Sequence, residues 1–289
     1  MRWQGRQGSD NVEDRRGSGT TKAVGGIGIG VIIIAIITQL MGGDGCAIIQ
    51  QQVAQQSQTQ QTQQTQTQQS EEEQALASLV SVVLKETEDT WNRLFPEQLN
   101  IRYQEPVLVL FSGSVSSACG HASAATGPFY CPGDNKLYID LSFYQQLKNQ
   151  FKAPGDFAMA YVVAHEVGHH VQNLLGYTNY VNRQRGRIPK VEQNKLSVRL
   201  ELMADYLAGV WAKNANNKNL LDPDDIEEAM RAAHAIGDDT IQKRSRGYVV
   251  PDSFTHGTSE QRMQAFQAGF QNGDIRKETL DIFFTAETL

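Results

Sequence analysis

His165-Glu166-Val167-Gly168-His169 is the stretch of this 289-residue chain with the plainest capacity for chemistry. On a helix, His165 and His169 fall four residues apart and share a face. Two neutral imidazoles so placed can hold one metal ion, and a glutamate beside the first is positioned to act on a water there. His170 follows at once, but it points about 100° away from His169, so it packs or hydrogen-bonds beside the site instead of ligating. His121 and His234 read as structural. Without a metal, the same groups would form only a buried helix with hydrogen-bonded histidines.

Two histidines leave a catalytic zinc short of one protein ligand, because such sites take three and keep a fourth position open. Glu201, in Glu201-Leu-Met-Ala-Asp205, is the candidate third ligand. Asp205, one turn later, would accept a hydrogen bond from the far nitrogen of a ligand histidine and so fix its ring. Read without a metal, the two are carboxylates on a solvated helix face, yet Leu200, Leu202, Ala204, Leu207 and Ala208 crowd them. In a zinc-assisted hydrolysis Glu166 would take a proton from water and pass it to a leaving amine. The oxyanion that forms needs a donor. His256, within Phe254-Thr-His-Gly-Thr-Ser-Glu-Gln-Arg262, is the candidate, with an exposed loop histidine as the alternative; Arg262 would fix that segment by pairing with a carboxylate.

The elements that would carry these residues are mostly helical. Phe157, Tyr161, Val162, Ala164, Val167, Val171 and Leu175 predict a largely buried helix, opened by Asp156 as N-cap and stopped by Gly176. Val191–Asn214 reads as helical throughout. Asp222-Pro223 opens another helix to about 236, Thr258-x-x-Gln261 caps one over about 259–271, and 274–286 adds one more. Upstream, Ser70-Glu-Glu-Glu73 caps a helix whose apolar positions run at helical spacing to Pro96. Strand-like pieces lie at Val107–Phe111, Gly127–Cys131 and Lys136–Leu141, followed by a short helix at about 142–151. Tyr177–Lys190, with Arg183, Arg185, Arg187 and Lys190, reads as a loop over the site or a solvated surface. The fold expected over 70–289 is α+β, mainly helical with a small sheet.

The N-terminal region sets the compartment. Residues 1–22 are polar, and no fold is expected there. Residues 23–41 carry no charge and reach roughly 28 Å as a helix, enough to cross a bilayer. Basic residues precede this span, which predicts a cytoplasmic N-terminus and a domain outside. Gly26-x-x-x-Gly30 would allow a homodimer through the span. Residues 42–69 form a linker; thirteen of residues 50–69 are Gln, too polar to bury a core. Three cysteines are too few for a disulfide scaffold. Cys119 and Cys131 flank a small-residue loop and, outside a membrane, would close it as a disulfide, with two reduced thiols as the alternative. The net charge of −6 gives no reason to propose nucleic-acid binding.

Cys119-Gly120, Gly127-Pro-Phe-Tyr-Cys-Pro132, Tyr138-Ile-Asp-Leu141, His165-Glu-Val-Gly-His-His-Val-Gln172, Glu201-Leu-Met-Ala-Asp205 and Thr255-His-Gly-Thr-Ser-Glu-Gln-Arg262 together resemble the bacterial neutral zinc metallopeptidase family over almost the whole chain. Met203 and Tyr206 depart from residues usual in it. At a distance the pattern is similar to the gluzincin metallopeptidases. That likeness implies a zincin-like domain, Glu201 as third ligand, roles for His256 and Arg262, and a strand such as Lys136–Leu141 lining the substrate cleft. The reading that follows is a single-pass protein of the bacterial inner membrane, with a periplasmic or extracellular domain, one zinc ion per chain, and a protein or peptide as substrate. Two rivals are a non-enzymatic envelope protein with a structural metal site and a zinc amidase acting on cell-wall peptides.

Overall fold

Apolar runs at 107–111 and 136–140 form the middle of a four-stranded sheet in the computed structural model, which describes residues 1–17 and 71–286. Strand β1 (Val12–Asp14) pairs in parallel with β2 (Val107–Phe111), and β2 in parallel with β6 (Lys136–Asp140). Strand β5 (Phe129–Cys131) closes the other edge, antiparallel to β6. Strands β3 (Ser114–Ser117) and β4 (Gly120–Ser123) make a separate hairpin. The two central strands are buried along nearly their whole length, as continuous Val/Ile/Leu runs favour.

Nine α-helices among the described residues make up most of the rest of the fold. They are α1 (Glu71–Leu94), α2 (Phe143–Asn149), α3 (Asp156–Leu174), α4 (Tyr177–Gln184), α5 (Lys190–Asn217), α6 (Asp225–Ala235), α7 (Asp238–Arg246), α8 (Ser259–Asn272) and α9 (Lys277–Thr285). The domain is thus mainly helical with a small sheet. Helix α4 occupies part of the stretch read as loop or surface, and α7 had no apolar period to announce it. Asp156 is the first residue of α3 and not its cap; Gly155 holds that position.

Three helices are locked together by glycines. A Cβ on Gly168 of α3 would lie 2.9 Å from the Ala204 carbonyl oxygen of α5. Gly209 of α5 meets the Phe266 carbonyl of α8, and Gly269 of α8 meets the Tyr206 carbonyl of α5, each at a distance no Cβ tolerates. The backbones therefore approach closely, which fixes α5 against both α3 and α8.

Residues 1–16, for which no fold was expected, belong to the same folded unit as residues 71 onward. Their attachment is polar more than apolar, and a reading based on apolar content overlooks it. Ser9 and Asn11 both bond Glu88 of α1, and Arg6 reaches Glu86 at 2.8 Å. The Met1 amino group stands 2.8 Å from Asp156 and 3.2 Å from the buried Asp225, and Trp3 Nε1 donates to Asp156 at 3.0 Å. The Asp156 carboxylate thus receives the N-terminal arm instead of capping its own helix. A chain starting at residue 70 loses β1 and leaves the β2 edge bare. Its unfolding midpoint is expected to fall by about 5 °C or more, measured by thermal unfolding beside the full chain; equal midpoints would show the arm to be dispensable.

No helix among the described residues is long and apolar enough to cross a membrane. The expected span 23–41, its pairing into a homodimer, and the linker 42–69 lie outside the described residues.

Candidate metal centre and its cleft

Helix α3 presents His165 and His169 on one face, and the close crossing at Gly168 brings Glu201 of α5 against them. His165 Nε2 stands 3.2 Å from one Glu201 oxygen, and His169 Nε2 stands 3.5 Å from the other. All three ligating atoms lie within 4.8 Å of one another. Two ligands each 2.0–2.1 Å from a tetrahedral zinc stand roughly 3.3 Å apart. The separations here match that requirement, so two imidazoles and one carboxylate fit zinc in both chemistry and spacing.

The far side of each ring is held. His165 Nδ1 lies 2.8 Å from Asp205 Oδ1, and His169 Nδ1 lies 2.9 Å from Gln172 Oε1. Gln172 is itself anchored, donating from Nε2 to the Leu200 carbonyl. Sequence reasoning found Asp205 and missed Gln172, although its position three residues after His169 put it on the same helix face. These partners leave both Nε2 atoms free to face Glu201 and orient the rings for a metal.

Asp205 sits at the centre of a buried network. Tyr161 donates to its Oδ1 at 2.6 Å, and Arg262 of α8 donates from Nε to Oδ2 at 2.8 Å and from a second nitrogen to Oδ1 at 3.0 Å. Asp205 is 0 % exposed and Arg262 2 %. Burial alone would raise the Asp205 pKa, but Arg262 and His165 outweigh it and pull it down to about 2. Burial likewise opposes charge on His165, and Asp205 with Glu201 overcomes it, lifting that pKa to about 9. Glu201 is held well below the usual carboxylate range, because the two histidines beside it override its burial. Arg262 thus braces the carboxylate that orients His165.

Glu166 is buried on the same helix and lines a cleft of about 640 Å³ along with His165, His169 and Glu201. It has no hydrogen-bond partner among the described residues. His256 lines the cleft too, with its side chain 51 % exposed. Its loop is clamped on Asp238, the first residue of α7. The backbone N–H groups of Thr255, His256 and Gly257 all donate to one Asp238 oxygen, at 2.7, 2.6 and 3.1 Å. The Asp238 hydrogen bond to its ring raises the His256 pKa, which favours a protonated imidazole facing the cleft. His170 is no ligand: it lies 3.0 Å from the Tyr130 hydroxyl and 2.6 Å from the Gln104 carbonyl, and burial pushes its pKa down to about 4.

Another part of the cleft lining comes from β5 and the segment before it, Thr126–Tyr130. The expectation that Lys136–Leu141 lines the cleft is corrected: β5 covers the outer edge of β6 and takes that place. Cys119 and Cys131 are joined as a disulfide, which ties β5 to the hairpin strands.

A family model described as "Putative neutral zinc metallopeptidase" matches residues 1–280. The uncharacterized protein YpfJ of Escherichia coli K12 is 46% identical over 284 residues, covering 95% of this chain and 96% of that one. The uncharacterized protein Rv2575 of Mycobacterium tuberculosis H37Rv is 44% identical over 197 residues, 64% of this chain and 63% of its own. No solved structure matches.

Proposed function

The chain belongs to the neutral zinc metallopeptidase family, and from that premise we propose that it is a zinc-dependent peptidase with His165, His169 and Glu201 as metal ligands. The observation that carries the reading is the convergence of three donor atoms with both far ring nitrogens already fixed. One zinc ion held there would supply Lewis acidity, lowering the pKa of a water toward ~7 and polarising a carbonyl. Glu166 takes the proton of the attacking water and returns it to the leaving amine. Protonated His256 offers an N–H to the oxygen that gains charge. Arg262 acts through Asp205 and not on the substrate. Among the described residues no fourth protein ligand converges on the three, which favours a catalytic over a structural site.

The test is metal content of the purified full chain beside His165→Ala and Glu201→Ala. One zinc per wild-type chain is expected, with binding weakened at least about 100-fold in both variants. Full zinc in Glu201→Ala would remove that residue from the ligand set, and folded wild type free of metal would sink the reading.

We also propose that residues 23–41 hold the molecule to a bilayer, on the strength of their uncharged sequence. The Cys119–Cys131 disulfide supports an oxidising compartment for the domain. Full chain should sediment with membranes and resist carbonate extraction, whereas a chain lacking 23–41 should not; equal partitioning would refute the attachment.

A further inference from the structure

The peptidase reading leaves one group in the cleft without a task. Arg185 follows α4 and lines the cleft beside the metal ligands. It also lines an adjoining cavity of about 370 Å³, together with Lys190, Gln193, Ser197, Glu201 and His256. The two cavities therefore meet at Glu201, His256 and Arg185. Lys190, Gln193, Ser197 and Glu201 are spaced by three, four and four residues, so they form one stripe along α5. The stripe starts at Glu201 and ends about 16 Å away at the helix N-terminus. An extended peptide spans that distance in about five residues.

The charges along this path are one-sided. Apart from Glu166 and Glu201, no carboxylate lines either cavity. Neither Arg185 nor Lys190 has an ion-pair partner among the described residues; the one acidic neighbour in the first turn of α5, Glu192, pairs with Lys195 at 2.8 Å. With Glu201 committed to the metal, an extended substrate meets Arg185, Lys190 and His256, the last held by Asp238 behind it, and no carboxylate other than Glu166 lines the path.

We propose that Arg185 and Lys190 form an anion-binding subsite that selects peptides carrying a carboxylate within about five residues of the scissile bond, on the side of the cleft that runs along α5. This rests on the peptidase reading. A carboxylate there accepts a bidentate pair from the Arg185 guanidinium and a second contact from the Lys190 ammonium. Both cations are exposed, so the selection weakens as salt rises.

The test uses zinc-loaded full chain and internally quenched peptides of one scaffold, with Asp, Gln or Lys placed one to five residues from the cleavage point. Each peptide is made as C-terminal acid and as amide. Acidic peptides are expected to exceed Lys peptides at least tenfold in kcat/KM, and Arg185→Glu/Lys190→Glu should reverse that order. Arg183→Glu, the same change on a neighbouring residue that lines neither cavity, should leave it intact. An effect confined to free acids assigns the subsite to a C-terminal carboxylate; one seen in amides too assigns it to a side chain. Equal turnover of acidic and basic peptides, or a preference that survives in the double variant, overturns the proposal. Binding of the same peptides to Glu166→Gln, followed by fluorescence anisotropy, separates the two readings. Selective binding of acidic peptides without any cleavage by wild type would keep the subsite and remove the peptidase; unselective binding would remove the subsite.

Discussion

Glu166→Gln is expected to leave one zinc per chain and to lower kcat/KM by about 10²- to 10⁴-fold, the usual contribution of a general base. The substitution keeps the size and shape of the side chain, so the packing of α3 is preserved. Glu166 has no hydrogen-bond partner to lose among the described residues, and so no orphaned donor is left behind. The variant removes the capacity to accept a proton and little else. Its zinc content and unfolding midpoint should match wild type, and single-turnover cleavage should be lost. A variant that cleaves at the wild-type rate would overturn the role given to Glu166, whereas one that loses zinc would show it to be structural.

Arg262→Leu should have the largest effect on stability. Arg262 and Asp205 are buried together, and removing the guanidinium leaves a carboxylate inside the core with only Tyr161 and His165 beside it. Breaking a buried pair in this way costs about 3–5 kcal/mol, because the surviving charge is stranded. The same change loosens the orientation of His165, so zinc affinity should fall by about 10- to 100-fold. Denaturant unfolding of the metal-free protein measures the first effect, and a zinc titration of the folded variant the second. Asp205→Asn combined with Arg262→Leu should recover part of the lost stability, since the stranded charge is then gone. A single-variant cost under about 1 kcal/mol would contradict the burial described for this pair.

Those two side chains show what could be read in advance and what could not. Glu201 and Asp205 were legible because a helix places residues four apart on one face, and Arg262 because its segment resembles the family pattern. Local periodicity carries that kind of information well. It does not say which carboxylate Arg262 finds, since the close crossing of α5 and α8 at Gly209 and Gly269 is a property of the assembled fold. Nor does it supply Asp238, whose α7 has Ile241 as its one apolar residue and clamps the loop of His256. The edge position of β5 was hidden for a related reason. Strand order is a property of the assembled sheet, and both Phe129–Cys131 and Lys136–Asp140 read as strands. The N-terminal arm escaped because much of its attachment is individual ion pairs and hydrogen bonds, with only Met1, Trp3 and Val12 packed on the core, a pattern invisible to any measure of average polarity.

That arm bears on topology. Strands sharing a hydrogen-bonded ladder lie in one compartment, and β1 shares its ladder with β2. Arg16 and Glu71 therefore stand on the same side of any bilayer. A molecule folded in this way carries its amino terminus on the same side as its cleft.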